Sequence, residues 1–161
     1  MSELERWRER VEAARERLRT LRAEGWGEPG PVDAETGERW DRGNVLGHVA
    51  EMIPYWTAQA RAVLSGVADM GRDAEGSAQR REGIDHLREV GEEALARRIE
   101  AGLDGLIALL GDLRESDLER PVTYHMPSGD QEHDLRFCVE VLLIGHLEGH
   151  LRQLEELTPT G

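Results

Sequence analysis

Four long stretches of apolar residues at helical spacing, little strand signal and a breaker-rich segment after the first stretch predict an all-α fold. The simplest arrangement is an antiparallel four-helix bundle with a long first connection. At 161 residues the chain can bury one continuous core, so residues 1–161 read as a single domain.

Ser2-Glu3-Leu4-Glu5 is a capping-box pattern, which predicts that a helix starts there. Leu4, Trp7, Val11, Ala14, Leu18 and Leu21 then follow the 3,4 spacing of one buried stripe, ending near Gly25. Residues 25 to 43 hold a run of Gly and Pro that excludes regular structure over much of the segment, and Trp40 precedes the next helix. The second helix is expected from about Asn44 to Leu64, with Val45, His48, Val49, Met52, Tyr55, Trp56 and Gln59 on its inward row. Pro54 should kink it, because proline has no N–H to donate.

Gly66 to Gly83 is polar and without a strong period, and reads as a loop with at most a short helical turn. Apolar spacing returns from Ile84 to about Leu113, although Gly91, Gly102 and Gly105 weaken it by roughly 1 kcal/mol each relative to Ala. Ser116-Asp117-Leu118-Glu119 gives a second capping box before Pro121. Val122-Thr123-Tyr124 has strand character but is too brief to found a sheet, and the last helix should start between Asp130 and Asp134. Gly145 and Gly149 share one flank of that helix, where packing within the bundle is the ordinary reading and a homodimer contact the bolder one.

A formal net charge of −13, from 33 acidic and 20 basic residues, argues against a nucleic-acid partner, which demands a basic patch. No stretch approaches the roughly 20 apolar residues of a membrane span, and the N-terminus opens on charges instead of an apolar signal region. A cytoplasmic protein with no membrane partner is expected. The single cysteine, Cys138, excludes an intramolecular disulfide and a multi-cysteine zinc site, and its apolar surroundings read as structural.

The most specific stretch is Gly145-His146-Leu147-Glu148-Gly149-His150-Leu151-Arg152-Gln153-Leu154. Two histidines four apart on a helix differ by about 40° around the axis and about 6 Å along it, so both rings can lean toward one point. Val139, Leu142, Leu143, Leu147, Leu154 and Leu157 share their side, so the imidazoles point toward the core, where an unsatisfied ring nitrogen costs on the order of 1–3 kcal/mol. His48 on the second helix is a third candidate, although a lone histidine among apolar residues is more often a satisfied core residue. Inward side chains of two bundle helices can converge at one end of the core. His48, His146 and His150 would then leave a fourth tetrahedral position open on zinc, nickel or iron.

The frame Trp40, then Asn44-Val45-Leu46-Gly47-His48-Val49-Ala50-Glu51, then His146-Leu147-Glu148-Gly149-His150-Leu151-Arg152-Gln153-Leu154, resembles the DinB/YfiT-like superfamily of four-helix metalloproteins. In that family a tryptophan opens the second helix, one histidine follows on it, and a His-x3-His pair ends the fourth helix, often with a trailing Gln. The resemblance implies a divalent metal, usually zinc or nickel, on His48, His146 and His150. Characterised branches are S-transferases or isomerases that activate a low-molecular-weight thiol such as mycothiol, bacillithiol or glutathione. It thus implies a metal-dependent thiol S-transferase whose partners are that thiol and an electrophilic substrate.

Within that reading Glu51, one turn after His48, is the candidate catalytic proton acceptor or an orienter of an imidazole, against a solvent-facing role. Tyr55, Gln59 and Gln153 are candidates for lining the cofactor pocket, against core or surface roles. Two other classes stay open: a non-catalytic, metal-stabilised dimeric bundle, and a hydrolase using metal-bound water.

Overall fold

The structure is a computed structural model that describes residues 1–159, so the last two residues of the expected domain lie outside the described residues. It is mostly helical, with five helices and a small three-stranded sheet that corrects the all-α expectation.

Helix α1 (Glu3–Thr20) starts as its capping box predicts: the Ser2 hydroxyl accepts from Glu5 N–H at 3.1 Å, and the Glu5 carboxylate accepts from Ser2 N–H at 2.6 Å. It ends short of Gly25 because the guanidinium of Arg42, only 3% exposed, donates to the carbonyls of Leu21, Ala23 and Gly25 as the chain turns away. Helix α2 (Arg42–Leu64) is capped by Asp41 and continues through Pro54 without ending. Its inward row is as expected: Val45, His48, Val49, Met52 and Trp56 are buried, Tyr55 and Gln59 half-buried.

The segment expected to be a loop holds β1 (Asp69–Gly71) and most of α3 (Ala74–His86), which Asp73 caps by accepting from Gly76 N–H. Only Gly76, Gly83 and Ile84 of α3 are buried, so it carries almost no apolar stripe. Glycines seat it: a methyl on Gly47 of α2 would collide with the Gly83 carbonyl, and one on Gly83 would come within 2.7 Å of Glu51 Cβ. The expected single helix over 84–113 is divided by a 3-10 turn, Leu87–Val90, and by Gly91 at φ +92°, after which α4 (Glu92–Asp112) resumes.

Strands β2 (Pro121–Met126) and β3 (Gly129–Asp134) complete a sheet of order β1-β2-β3, parallel between β1 and β2 and antiparallel between β2 and β3. Val122 and Met70 anchor it in the core while β3 is polar throughout. Because β3 takes residues up to Asp134, the last helix, α5 (135–157), begins one residue later than expected, with Asp134 accepting from Phe137 N–H. It opens with the turn Leu135–Phe137, widens into a π-helix over Cys138–Gly145, and narrows again over His146–Leu157.

Helices α1, α2, α4 and α5 enclose one core through residues such as Trp7, Ile53, Leu103, Leu106, Leu143 and Leu147, and α2 packs against α3, α4 and α5. Among the described residues no helix is long and apolar enough to cross a membrane. Cys138 lies fully inside, where burial pushes its thiol up to about 12 and leaves it unreactive. Gly145 and Gly149 meet no other element within 4 Å.

Candidate metal centre

Nearly two turns into α2, on its buried face, His48 is 1% exposed. Opposite it, the last segment of α5 opens with His146 and carries His150 one turn later. Each ring supplies a nitrogen, and the three nitrogens lie within 4.8 Å of one another. His48 Nε2 and His146 Nε2 are 3.4 Å apart. Metal–nitrogen bonds of about 2.0–2.1 Å in a tetrahedron set neighbouring ligand nitrogens about 3.4 Å apart, so this edge needs no rearrangement to hold a cation.

A hydrogen bond fixes which nitrogen of His150 carries the lone pair. His150 Nδ1 donates to Gln153 Oε1 at 3.0 Å, so its Nε2 is an acceptor, and that Nε2 is buried with no partner among the described residues. At His146 the π-helix shifts the backbone pattern: its N–H donates to the Val141 and Leu143 carbonyls and skips Leu142, whose carbonyl raises the pKa of the His146 imidazole against the larger effect of burial. His48 Nδ1 is also buried without a partner.

Burial is the main cause holding all three histidines neutral: it depresses His48 far below the usual imidazole range, takes His146 down to about 4 and lowers His150. Neutral imidazole is the form a metal takes. Trp40 encloses the cluster, stacked on His150 with centroids 5.8 Å apart and edge-on to His48 at 5.6 Å. The buried unpaired Nε2 of His150 and the all-imidazole donor set fit a divalent cation of the zinc or nickel class.

Beside His150 a cavity of about 500 Å³ runs between the first connection and the facing sides of α3 and α5. Trp40, Arg80, Gln153 and Glu38 are among its walls.

The other residues singled out in the sequence lie elsewhere along α2. Glu51 is held by both terminal nitrogens of Arg72, at 2.7 and 2.9 Å, and neither side chain is more than 12% exposed. Tyr55 donates its hydroxyl to the Gly71 carbonyl at 2.6 Å, and Gln59 accepts from Gly71 N–H at 3.1 Å, so both fasten β1 to α2. Arg72 lies over the Tyr55 ring at 4.0 Å. Of the three expected pocket residues only Gln153 lines the cavity beside His150. His86 pairs with Glu89, His125 bridges Asp69 and Asp130, and His133 stacks on Phe137, all away from the centre. Arg80 was not foreseen, because the segment that carries it has no apolar period to reveal a helix.

No curated protein and no solved structure matches the chain. The sequence pattern of the DinB superfamily matches residues 32–154, which takes in Trp40, all three clustered histidines and Gln153. The chain belongs to the DinB superfamily.

Proposed function

We propose that the protein is a metal-dependent thiol S-transferase, in which His48, His146 and His150 hold one divalent cation and a low-molecular-weight thiol enters beside it. The observation that carries the reading is the pairing of three convergent neutral imidazoles with a cavity that reaches them at His150. Three protein nitrogens leave a coordination position for a ligand from outside, which a purely structural site does not need. When bound, the metal supplies Lewis acidity that holds a thiol as thiolate near neutral pH.

The chain's own residues prepare that position. Gln153 orients His150, and Trp40 covers the cluster so that water reaches it from fewer sides. The electrophile takes the cavity between α3 and α5. Glu51 is one helical turn from His48, and accepting a proton there requires it to release Arg72, so we assign it first to positioning α2 against β1. The thiol's class is mycothiol-like, bacillithiol-like or glutathione-like.

Metal analysis of the purified protein beside His146→Ala, followed by thiol transfer to a generic electrophile with and without added metal, tests the reading. One metal per chain in the wild type, almost none in the variant and turnover that needs both metal and thiol are expected. Equal metal in both proteins overturns the site. Metal that raises the melting temperature without thiol-dependent turnover supports a metal staple between α2 and α5, and turnover without thiol supports a hydrolase.

A further inference from the structure

The chain's basic side chains are all arginine, and nearly all those that are not fully exposed have a partner that accounts for them. Arg42 caps α1, Arg72 holds Glu51, Arg88 holds Asp41 at 2.6 Å and Arg10 holds Glu148. Arginines such as Arg8, Arg98 and Arg152 point into water. Arg80 is different. It is half-buried, burial lowers its pKa, and among the described residues its guanidinium makes no hydrogen bond or ion pair. It lines the same cavity as His150, Gln153 and Trp40.

The acidic groups around that cavity do not neutralise it. Asp33 is spent on its own turn, accepting from the N–H groups of Glu35 and Thr36. Glu38 is taken by Arg81 at 2.9 Å and by Trp40 Nε1 at 2.7 Å. Glu156 is exposed at the rim. What remains facing the cavity is one cationic fork whose five N–H donors suit a planar carboxylate.

We propose that Arg80 binds a carboxylate of the molecule that enters the cavity beside the three histidines, so that the site selects carboxylate-bearing thiols or electrophiles over neutral ones. The proposal rests on the metal-site reading above for the other end of the ligand. The selection is built by the fold in an indirect way. Arg80 reaches the cavity because α3 is drawn onto α2 at the Gly47–Gly83 contact, where Gly47 directly precedes His48.

The test uses cobalt-loaded protein and two matched probe series, mercaptocarboxylates from mercaptoacetate to 6-mercaptohexanoate and the corresponding mercaptoalcohols. Affinity is read by calorimetry and thiolate ligation by the charge-transfer band. Propionate and inorganic phosphate serve as thiol-free controls. In the wild type at least one mercaptocarboxylate should bind about 10-fold more tightly than its alcohol, about 1.4 kcal/mol. Arg80→Gln should abolish that preference without changing cobalt content or alcohol affinity, and Arg80→Lys should keep part of it.

A preference that survives Arg80→Gln overturns the proposal, as does its absence in the wild type or binding of phosphate 10-fold tighter than propionate. Failure of the metal reading looks different. The charge-transfer band is then missing for every thiol, while propionate still binds the wild type more tightly than Arg80→Gln.

Discussion

Two polar clusters lie along α2, and they differ in whether their buried polar atoms have partners. In the N-terminal half, His48 meets His146 and His150, and His48 Nδ1 and His150 Nε2 are left with none. One to three turns on, Glu51, Tyr55 and Gln59 are engaged by Arg72 and by the backbone of Gly71. An unpaired buried nitrogen lowers stability by about 1–3 kcal/mol. At His150 Nε2 the first cluster is therefore complete only with something from outside the chain, whereas the second closes on itself and fastens β1 to the helix. Both consist of polar residues on one face of one helix, so residue type alone does not separate a site from a joint. The accounting of donors and acceptors does.

Opposite responses to substitution are the strongest way to break that distinction. Glu51→Ala strands the Arg72 guanidinium, whose side chain is 12% exposed, with the Gly76 carbonyl as its remaining hydrogen-bond acceptor and the Tyr55 ring beneath it. Breaking a buried pair from one side costs about 3–5 kcal/mol, which urea denaturation should show, while metal content per folded chain stays at the wild-type value. His48→Leu should do the reverse. It abolishes metal binding, yet the metal-free protein should be as stable as the metal-free wild type, or up to about 1–3 kcal/mol more so, because an unpaired Nδ1 is gone. If both variants lose stability equally without metal, the histidines belong to the architecture and the contrast fails.

A smaller effect sharpens the comparison with two glutamines. Gln153→Leu frees His150 to turn or change tautomer, so metal affinity should fall about 10–100-fold, as read by competition with a chelator. Gln59→Leu removes the acceptor for Gly71 N–H and should cost about 1–3 kcal/mol of stability with metal affinity unchanged.

How far each cluster was legible in the sequence follows from what holds it. The helices of the metal end bury apolar stripes, and His48, His146 and His150 ride on those stripes, so periodicity placed all three on inward faces. Gln153 came with the same helix. The partners of the second cluster could not be foreseen, because they sit on β1 and in the turn between β1 and α3, where backbone contact replaces hydrophobic pattern. Gly83 seats α3 by having no side chain, and a strand such as β3, Gly129–Asp134, is held by its ladder to β2 while its residues stay polar. The π-helix was equally hidden, since one extra residue in a turn leaves Val139, Leu143 and Leu147 at a spacing an ordinary helix also satisfies. Glu51, Tyr55 and Gln59 were correctly placed on α2, but the elements that occupy them were invisible.

Acidity acts on the two ends of the molecule with opposite sign. At the metal end burial depresses the histidines, with His146 down to about 4, and the charges of Arg80 and Arg72 act on His48 and His146 in the same direction. The unfolded chain takes up protons near pH 6.5 that the folded chain refuses, so metal-free protein loses stability as pH falls below about 6.5 toward 4.

At the sheet the smallest effect is expected, and it runs the other way. His125 on β2 donates through both ring nitrogens, to Asp69 on β1 at 2.7 Å and to Asp130 on β3 at 2.8 Å, and these hydrogen bonds raise its pKa. Its contribution is full below the unfolded value of about 6.5 and is lost as pH rises through the raised folded value, because only the charged ring can donate twice. The site is exposed and salt-screened, so the effect is small and should shrink further at high ionic strength. His125→Asn should flatten the alkaline side of the stability profile and leave the acid side, set by His48, His146 and His150, as it was. Were the acid side to move instead, the two ends would be coupled through α2, and the division between a self-satisfied joint and an open site would not hold.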